Sequence, residues 1–400
     1  MDTSTTHRTV FSQRANQITS SAIREILKIT ERPEVISFAG GLPSPEGFPV
    51  AELQAGFDHV LETQPAVALQ YGRTEGYTPL REWVAQEMSR EGAKVETDEV
   101  LIVSGSQQAL DMLGKLFIDP GSRVLVEAPS YLGALQSFSL FDPQFQSVPT
   151  DARGLVAEAL DDDLVRDARF IYVLPNFQNP TGLTLDLERR QILVQRCADL
   201  GLPIIEDDPY GELRYSGEPQ PSLLRLGRAA GATVIRLGTF SKVLAPGLRL
   251  GYVVAPRDII SKLVQIKQAT DLHTAMVTQM AVYEAVRTGF LKDHLPKVRA
   301  LYRRQCGYML DALQAHFPAD AQWTRPQGGM FIWVTLRPGI DTGVLLQSAI
   351  ARNVAFVPGA PFYAGVQAPV NTLRLSFVTV PEARIRTGVQ VLGELIGPAK

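Results

Sequence analysis

A lysine with hydroxyl-bearing neighbours is the strongest candidate for chemistry in this sequence. The segment reads Thr239-Phe240-Ser241-Lys242 and is followed by Arg249. Lysine is almost never fully buried unless it is paired, and a desolvated lysine has a lowered pKa that makes its amine a nucleophile toward aldehydes. The two hydroxyls and the forked guanidinium would suit a phosphate beside that amine. A polar surface loop with unrelated charges explains this spacing equally well, so other segments must decide.

A second candidate for phosphate binding lies where a predicted strand gives way to a helix. The segment Ser104-Gly105-Ser106-Gln107-Gln108 opens that helix. A helix N-terminus offers unpaired N–H groups and the positive end of a dipole to an anion. Simple helix capping by Ser106 is the alternative. Because two independent segments point the same way, the sequence favours a phosphate.

An aspartate ends a third predicted strand, in the segment Ile204-Ile205-Glu206-Asp207-Asp208-Pro209-Tyr210. Ligands of open α/β sheets bind at the carboxyl ends of the strands, and an ionised carboxylate there could keep a pyridine nitrogen protonated. Asp207 is preferred because Glu206, one residue earlier, should face the other side of the sheet. A solvated loop carboxylate is the alternative.

Two more polar residues occupy unusual places. Asn179 lies in an Asn-Pro-Thr-Gly turn, where Pro180 and Gly182 would stiffen and then bend the chain and aim the amide toward the site. An ordinary turn is the alternative. Arg374 lies inside the apolar run 373–377, where an arginine needs an anionic partner. A substrate carboxylate or a structural ion pair would serve.

The composition disfavours several classes of function. Lys+Arg 39 against Asp+Glu 42 leaves a net charge of −3, so we expect no nucleic-acid or anionic-membrane partner. The histidines lack metal-ligand spacing, and no metal site is expected. Two cysteines, Cys197 and Cys306, are too few for a disulfide framework, and residues 1–15 lack the apolar core of a signal peptide. Prolines interrupt the uncharged stretch 353–373, which would be costly in a membrane-spanning segment. We therefore expect a cytoplasmic protein that does not enter the membrane.

The candidate residues need a scaffold, and the sequence predicts one of alternating strands and helices. Short runs rich in Val, Ile and Leu are typical of strands buried on both faces, and they alternate with helix-like stretches such as 107–117 and 187–200. The pattern predicts an α/β fold with a large, mostly parallel sheet domain, helices on both its faces, and a smaller α+β domain. The predicted strands of the large sheet are 100–103, 124–126, 170–174, 203–205, 234–237 and 250–254.

The alternation of short strands and helices stops near residue 296, and this change predicts a domain boundary. A long helix through residue 313, strands near 330–334 and 373–377 and a closing helix near 381–395 follow it. We predict an N-terminal arm and part of the small domain in 1–48, with a helix over 17–28. The large domain would span 49–295, and the small C-terminal domain 296–400.

In their order along the chain, these segments resemble the fold type I pyridoxal 5′-phosphate enzymes, the class I/II aminotransferase family. The resemblance covers nearly the whole chain and rests on the Ser-x-Lys signature with its downstream arginine, the Asn-Pro-x-Gly turn, the Asp-x-x-Tyr segment and the late strand arginine. Within the family, the sequence looks most like the 2-aminoadipate aminotransferase group of bacterial lysine biosynthesis, and it is also similar to kynurenine/aminoadipate aminotransferases. The segments that carry this finer resemblance are 21–27, 38–43, 69–71, 75–77, 105–111 and 271–274.

The resemblance implies a role for each candidate residue toward a pyridoxal 5′-phosphate cofactor in the large domain. Lys242 would form the covalent link to the cofactor and then move the proton between substrate Cα and cofactor C4′. Asp207 would hold the ring nitrogen, and Tyr131 would stack on the ring. The ring hydroxyl would bind Asn179 and Tyr210, and the phosphate would bind Ser106, Gln107, Thr239, Ser241, Arg249 and, from the partner subunit of a homodimer, Tyr71. Thr239 stands where the family often has serine. Because threonine keeps the hydroxyl, we expect little loss of phosphate binding.

Substrate recognition follows from the same resemblance. Arg374 would clamp the α-carboxylate, helped by Asn179 and the backbone of Gly41. Arg24, with Ser21 nearby, matches the position that this group uses for the distal carboxylate of a dicarboxylic amino acid. Alternatively, Arg24 is only the solvated face of a helix packed through its apolar residues. A mobile arm could also swing Arg24 out and admit aromatic or aliphatic amino acids.

The resemblance therefore implies a homodimeric, cytoplasmic aminotransferase that takes an amino group from glutamate and transfers it to 2-oxoadipate, giving 2-aminoadipate. A broad-specificity aromatic, kynurenine or branched-chain aminotransferase is the first alternative, and a β-lyase is the second. An alternative of another class is the cofactor-sensing domain of a transcription regulator. Such a regulator needs a DNA-binding module, and we expect the residues before Ser37 to be too few for one.

Overall fold

The computed structural model describes residues 10–17, residue 26 and residues 32–398. Its strands are β1 (Ile36–Ser37), β2 (Val100–Val103), β3 (Arg123–Ala128), β4 (Gln144–Asp151), β5 (Gly154–Leu155), β6 (Ala168–Val173), β7 (Ile204–Asp207), β8 (Val234–Thr239), β9 (Gly251–Val254), β10 (Gln322–Trp323), β11 (Phe331–Thr335), β12 (Val354–Ala355), β13 (Val357–Pro358) and β14 (Thr372–Ser376).

The α-helices of the same residues vary from one turn to seven. They are α1 (Gln13–Gln17), α2 (Val50–Thr63), α3 (Pro65–Ala68), α4 (Thr78–Arg90), α5 (Ser106–Phe117), α6 (Leu132–Ser139), α7 (Asp162–Val165), α8 (Leu187–Asp199), α9 (Leu223–Ala230), α10 (Arg257–Thr270), α11 (Met276–Arg287), α12 (Leu291–His316), α13 (Thr342–Ala351) and α14 (Glu382–Ile396). The predicted helix over 17–28 lies almost wholly outside the described residues.

The large sheet has the order β2-β9-β8-β7-β6-β3-β4-β5. Its four central pairings, from β8 through β4, are parallel. Strand β9 runs antiparallel to both of its neighbours, so β2 is again parallel to β8. The predicted fold class is therefore confirmed. All six predicted strands form, within one or two residues of the predicted ends.

Two strands of the large sheet, β4 and the two-residue β5, were not predicted from the sequence. The longer of them, β4, reads QFQSVPTD, and only Val148 in it is fully buried. A strand near the edge of a sheet keeps one face in solvent, so it does not produce the continuous apolar run that marks the central strands. Its position beside β3 was set by a parallel pairing that no local pattern in the sequence reveals.

The helices on the sheet begin and end where their flanking residues can satisfy free backbone groups. Asp186 caps α8 by accepting a hydrogen bond from the backbone N–H of Arg189, and Ser222 caps α9 in the same way. Gly231 ends α9 in the left-handed conformation (φ 76°) that glycine adopts without steric cost. These caps stabilise the ends of α8 and α9.

The C-terminal part of the chain forms a second, antiparallel sheet with the order β10-β11-β14-β13. Helix α12 starts at Leu291, so it crosses the predicted boundary at residue 296, and Pro296 lies within its second turn. A short parallel pair joins β1 to β12 and thereby ties residues 36–37 to the C-terminal part. The proposed division at 48/49 and 295/296 remains a prediction.

The described residues contain neither a helix suited to span a membrane nor a cluster suited to bind a metal ion. No helix among residues 10–17, 26 and 32–398 is long and apolar enough to cross a bilayer. Over the same residues, no group of three or more His, Cys, Asp or Glu side chains is placed to hold a metal ion.

Candidate active site

The candidate residues come together at one edge of the large sheet. Asp207 is the last residue of β7, and Thr239 is the last residue of β8. Asn179 follows β6 within the next turn, and helix α5 starts at Ser106, just after β2. Since β2, β6, β7 and β8 all run in the same direction, their carboxyl ends meet at this edge. Residues that are far apart in sequence therefore surround one space.

The carboxylate of Asp207 is buried and only half satisfied. Its side chain is 2% exposed, and its Oδ2 accepts a 2.6 Å hydrogen bond from the hydroxyl of Tyr172. Its Oδ1 is buried and has no partner among the described residues. Burial raises the pKa of Asp207 to about 7, although the Tyr172 hydrogen bond lowers it. A buried carboxylate of this kind needs a cationic or N–H donor to stabilise its charge.

Tyr172 was missed in the sequence analysis. It lies in the middle of β6, within the apolar run Phe170-Ile171-Tyr172-Val173, and is fully buried. A buried tyrosine hydroxyl usually finds a hydrogen-bond partner. That rule was the only available signal, and it does not say which acceptor the hydroxyl would reach.

Lys242 lies beside the arginines of the site. Its Nζ donates a 2.8 Å hydrogen bond to the carbonyl oxygen of Gly41 and lies 6.0 Å from the ring centre of Tyr210. Desolvation lowers the pKa of Lys242 to about 8, and the positive charges of Arg374 and Arg249 add to this effect. The amine is therefore more often neutral near neutral pH than an exposed lysine would be.

The expected phosphate-binding residues line a cradle that only glycine permits. Gly105 has φ 82° at the start of α5, and a Cβ there would lie 2.6 Å from Nη2 of Arg249. Ser106 is half-buried, and Gln107 is exposed and donates to the carbonyl of Gly133. The guanidinium and the N–H groups of the first helical turn therefore face the same side.

The loop after β8 forms the other wall of this cradle. Ser241 is buried, and its backbone N–H donates to the Thr239 hydroxyl over 3.1 Å. That hydroxyl lies 3.4 Å from the carbonyl oxygen of Leu250. Arg249 itself takes the left-handed conformation (φ 47°) at the end of a short 3-10 turn. The loop between β8 and β9 therefore brings the Arg249 guanidinium next to Gly105, at the start of α5.

Three further polar side chains line the space above Asp207. Tyr210 is buried, and its hydroxyl lies near the side chain of Asn179. Tyr131 precedes α6 and is half-buried. Burial raises the pKa of Tyr131 to about 12, and the negative charge of Asp207 contributes to the rise. Both phenols therefore stay protonated at neutral pH and can donate hydrogen bonds.

Arg374, in β14, is 2% exposed and reaches the site from the second sheet. Its Nη1 donates to Oδ1 of Asn179 over 2.8 Å, and its Nη2 donates to the carbonyl of Ala39 over 2.6 Å. The guanidinium lies over the ring of Phe331, 4.3 Å from its centre.

Arg374 forms no ion pair with any described carboxylate, and its Nε has no hydrogen-bond partner there. Burial lowers the pKa of Arg374 to about 10. The structural ion pair considered from the sequence is thus not found among the described residues. An anionic ligand would supply the missing partner.

Two sets of candidate residues lie apart from this space. The side chain of Tyr71 is 78% exposed and touches His273 edge-on, with ring centres 5.8 Å apart. Ser21 and Arg24, the candidates for a distal carboxylate, lie outside the described residues. Gly41 lies inside the space, through the contact of its carbonyl with Lys242.

The groups without partners fit a pyridoxal phosphate. A protonated ring nitrogen would give Oδ1 of Asp207 the donor that it lacks, and a phosphate would fit the glycine-lined cradle beside Arg249. Lys242 supplies an amine with a lowered pKa between these two places. The donor set therefore agrees with an aromatic ring that carries both a basic nitrogen and a phosphate.

Comparison with known proteins agrees with this geometry. The chain is 47% identical over 388 residues to the 2-aminoadipate transaminase of Thermus thermophilus, and the match covers 96% of each chain. It is 43% identical to aromatic-amino-acid aminotransferase 1 of Thermococcus litoralis, over 96% of this chain and 94% of that relative.

Similarity to solved structures points to the same enzymes. The crystal structure of LysN, the alpha-aminoadipate aminotransferase of Thermus thermophilus complexed with N-(5′-phosphopyridoxyl)-L-leucine, has a TM-score of 0.89 to this structure at 46% identity. The match covers 96% of this chain and 97% of that chain. The family model described as aminotransferase class I and II matches residues 50–392. The chain therefore belongs to the aminotransferase class I and II family, which confirms the predicted enzyme class and the predicted pyridoxal 5′-phosphate cofactor.

Proposed function

We propose that this aminotransferase moves an amino group from glutamate to 2-oxoadipate, giving 2-aminoadipate, and that it serves lysine biosynthesis. One observation supports the chemistry: three reactive groups surround one space. They are the Lys242 amine, whose pKa is lowered, and the Asp207 carboxylate and Arg374 guanidinium, each of which has an atom without a hydrogen-bond partner among the described residues. The choice of substrate is supported by the 47% identity to the 2-aminoadipate transaminase of Thermus thermophilus.

In this proposal, each end of the cofactor has its own set of residues. Asp207 would hold the ring nitrogen, Asn179 and Tyr210 the ring hydroxyl, and Tyr131 would stack on the ring. The phosphate would be held by Ser106, Gln107, Thr239, Ser241 and Arg249. When bound, the cofactor supplies an electron sink that stabilises negative charge at the substrate Cα.

The protein's own contribution is to place a base and to bind carboxylates. Lys242 would take the proton from the substrate Cα and deliver it to C4′ of the cofactor, a task suited to an amine with a pKa of about 8. Arg374 would orient the α-carboxylate through its forked donors, with Asn179 holding the guanidinium in place. The Gly41 carbonyl, which accepts from Lys242 Nζ, would keep the amine aimed into the site.

The second carboxylate of the substrate would be bound by Arg24, with Ser21 nearby. A dicarboxylic substrate needs a second cation, and Arg24 is the residue whose place in the sequence matches that need.

A specific observation also favours a second candidate, an aminotransferase for aromatic or branched-chain amino acids. LysN of Thermus thermophilus was crystallised with a leucine adduct, and the Thermococcus litoralis relative acts on aromatic amino acids according to its name.

Assembly and location are further parts of the proposal. We infer a homodimer in which Tyr71 reaches the phosphate of the partner subunit, which is supported by the 78% exposure of this aromatic side chain in the single chain. A cytoplasmic location is supported by Cys197 and Cys306, both of which are free and buried. Sedimentation at several concentrations would test the dimer, and a monomer at all of them would contradict it.

A substrate panel tests the proposed function. Purified enzyme is supplied with glutamate and one of several 2-oxo acids, and the 2-oxoglutarate formed is measured. We expect the highest kcat/KM with 2-oxoadipate. A higher value with phenylpyruvate or 2-oxoisocaproate would favour the second candidate, and no transamination with any acid would refute both. The variant Lys242→Ala should lose turnover, whereas Lys115→Ala, at an exposed ion pair on α5, should keep it.

A further inference from the structure

A fully buried lysine, Lys267, lies outside the residues assigned to the reaction. It is in the last turn of α10, and its side chain is 0% exposed, unlike that of any other lysine in the described part of the chain. Its Nζ contacts both carboxylate oxygens of Asp271, at 2.9 and 3.0 Å, and donates to Oε1 of Gln108 over 2.8 Å. All three ammonium donors are therefore directed at named acceptors. A buried charge is costly unless it is satisfied in this way.

The partners of Lys267 hold the start of α5, the helix whose N-terminus faces the phosphate cradle. Oε1 of Gln108 also accepts the backbone N–H of Ser104 over 2.8 Å. Oδ2 of Asp271 accepts from Nε2 of Gln108 over 2.7 Å and from the hydroxyl of Ser104 over 3.1 Å. The ion pair thus fixes residues 104 and 108, which flank Gly105, Ser106 and Gln107 on both sides.

The same ion pair is continuous with the segment that carries Tyr71. The Ser104 hydroxyl lies 3.2 Å from the Thr274 hydroxyl, three residues after Asp271. Between them, His273 accepts a hydrogen bond at Nε2 from the backbone N–H of Gly72 and touches the ring of Tyr71. The turn from Asp271 to Thr274 therefore connects the end of α10 both to the cradle and to the exposed tyrosine.

We propose that Lys267 and Asp271 are positioning residues for the cofactor phosphate. This one ion pair holds the N-terminus of α5 for the phosphate of its own subunit and holds the loop that presents Tyr71 to the other subunit. Neither side chain is among the residues assigned above to the cofactor or the substrate. The proposal rests on the proposed function, because it assigns the purpose of the cradle and of Tyr71 to that cofactor.

The test compares Lys267→Met with the unaltered holoenzyme. Each protein is equilibrated with known free pyridoxal 5′-phosphate, and the bound fraction is read from its absorbance. Methionine fills a similar volume but leaves Asp271 unpaired. We expect the dissociation constant to rise about tenfold or more, the loss that corresponds to one charge-assisted hydrogen bond. At saturating cofactor, the KM for the amino acid should stay unchanged, because Arg374 is not disturbed.

Two further variants separate positioning from a purely structural role. Asp271→Asn removes the negative charge and replaces one acceptor oxygen by an NH2 donor that faces other donors, so it too should raise the dissociation constant. This variant serves as the test if Lys267→Met does not fold. Lys115→Met removes the exposed ion pair with Asp111 at the other end of α5 and should change nothing. Loss of stability with an unchanged cofactor dissociation constant in both network variants would overturn the proposal.

A double-mutant cycle tests the connection to Tyr71. If the ion pair holds the Tyr71 loop, Tyr71→Phe should cost less cofactor affinity in the Lys267→Met background than alone. Strictly additive losses would contradict this part of the proposal. If the unaltered protein itself bound no pyridoxal phosphate, the proposed function would fail. Normal binding by the unaltered protein and equal binding by Lys267→Met would reject only the positioning role.

Discussion

Replacement of Asp207 by asparagine should have opposite effects on the protein without and with its cofactor. In the protein alone, the ionised carboxylate is buried, and one of its oxygens has no partner among the described residues. The rise of its pKa from an ordinary 3.8 to about 7 corresponds to about 4 kcal/mol of unfavourable free energy for the ionised form. The asparagine side chain of the variant cannot ionise and escapes this cost, although its buried amide adds a smaller cost of about 1–3 kcal/mol.

The sign of the pH dependence follows from linkage. The folded protein holds the Asp207 proton more tightly than the unfolded chain does, so the contribution of this group to stability falls as the pH rises from about 4 to above 7. Between pH 5 and pH 8, the loss amounts to about 3 kcal/mol. The advantage of Asp207→Asn over the unaltered protein should therefore be about 3 kcal/mol larger at pH 8 than at pH 5, and the constant cost of the amide cancels in this difference.

Denaturant unfolding of cofactor-free protein at the two pH values measures this difference directly. Asp311→Asn, at an exposed position on α12, is the control and should show no such change. With pyridoxal phosphate bound, the order should reverse, because the ring nitrogen then stabilises the carboxylate and the variant binds the cofactor more weakly. An equal effect of Asp207→Asn at pH 5 and pH 8 would refute the assignment of a raised pKa to this buried carboxylate.

Three other results are expected. Arg374→Leu should reduce kcat/KM about 100-fold for every amino acid tested, because it removes the charge-assisted hydrogen bonds to the α-carboxylate that all of them share. Arg24→Ala should reduce kcat/KM only for dicarboxylic substrates. Equal losses on phenylalanine and 2-aminoadipate would show that Arg24 does not determine substrate specificity. Stopped-flow loading of cofactor-free enzyme with pyridoxal phosphate should accelerate as the pH rises through about 8, where Lys242 loses its proton, and a flat profile would contradict the lowered pKa of this amine. Arg190→Met should lower the free energy of unfolding by about 3 kcal/mol or more in denaturant titrations. Arg190 is fully buried and donates to three backbone carbonyls and to Asn176, and these acceptors would lose their donor. A loss below about 1 kcal/mol would show that water replaces these contacts.

The types of the reactive groups, and the strands that carry them, could be predicted from the amino-acid sequence alone. The apolar runs that predict β2, β6, β7 and β8 are local, and a parallel sheet brings the ends of such strands to one edge whatever their exact order. Lys242, Asp207 and the start of α5 could therefore be assigned to one place before any contact was known. The family resemblance supplied the roles, since spacing alone left each motif with an ordinary alternative.

The hydrogen-bond partners of these groups, in contrast, follow from the folded arrangement and not from local sequence. Tyr172 reaches Asp207 from a neighbouring strand, and Arg374 finds Asn179 and the Ala39 carbonyl at separations of 195 and 335 residues. Hydrophobic periodicity says which face of an element is buried, but it does not say which distant polar atom will meet another there. Desolvation raises the pKa of Asp207 and lowers that of Lys242, and it accompanies the burial of Lys267. Because desolvation depends on how several elements pack together, no single segment of the sequence reveals it.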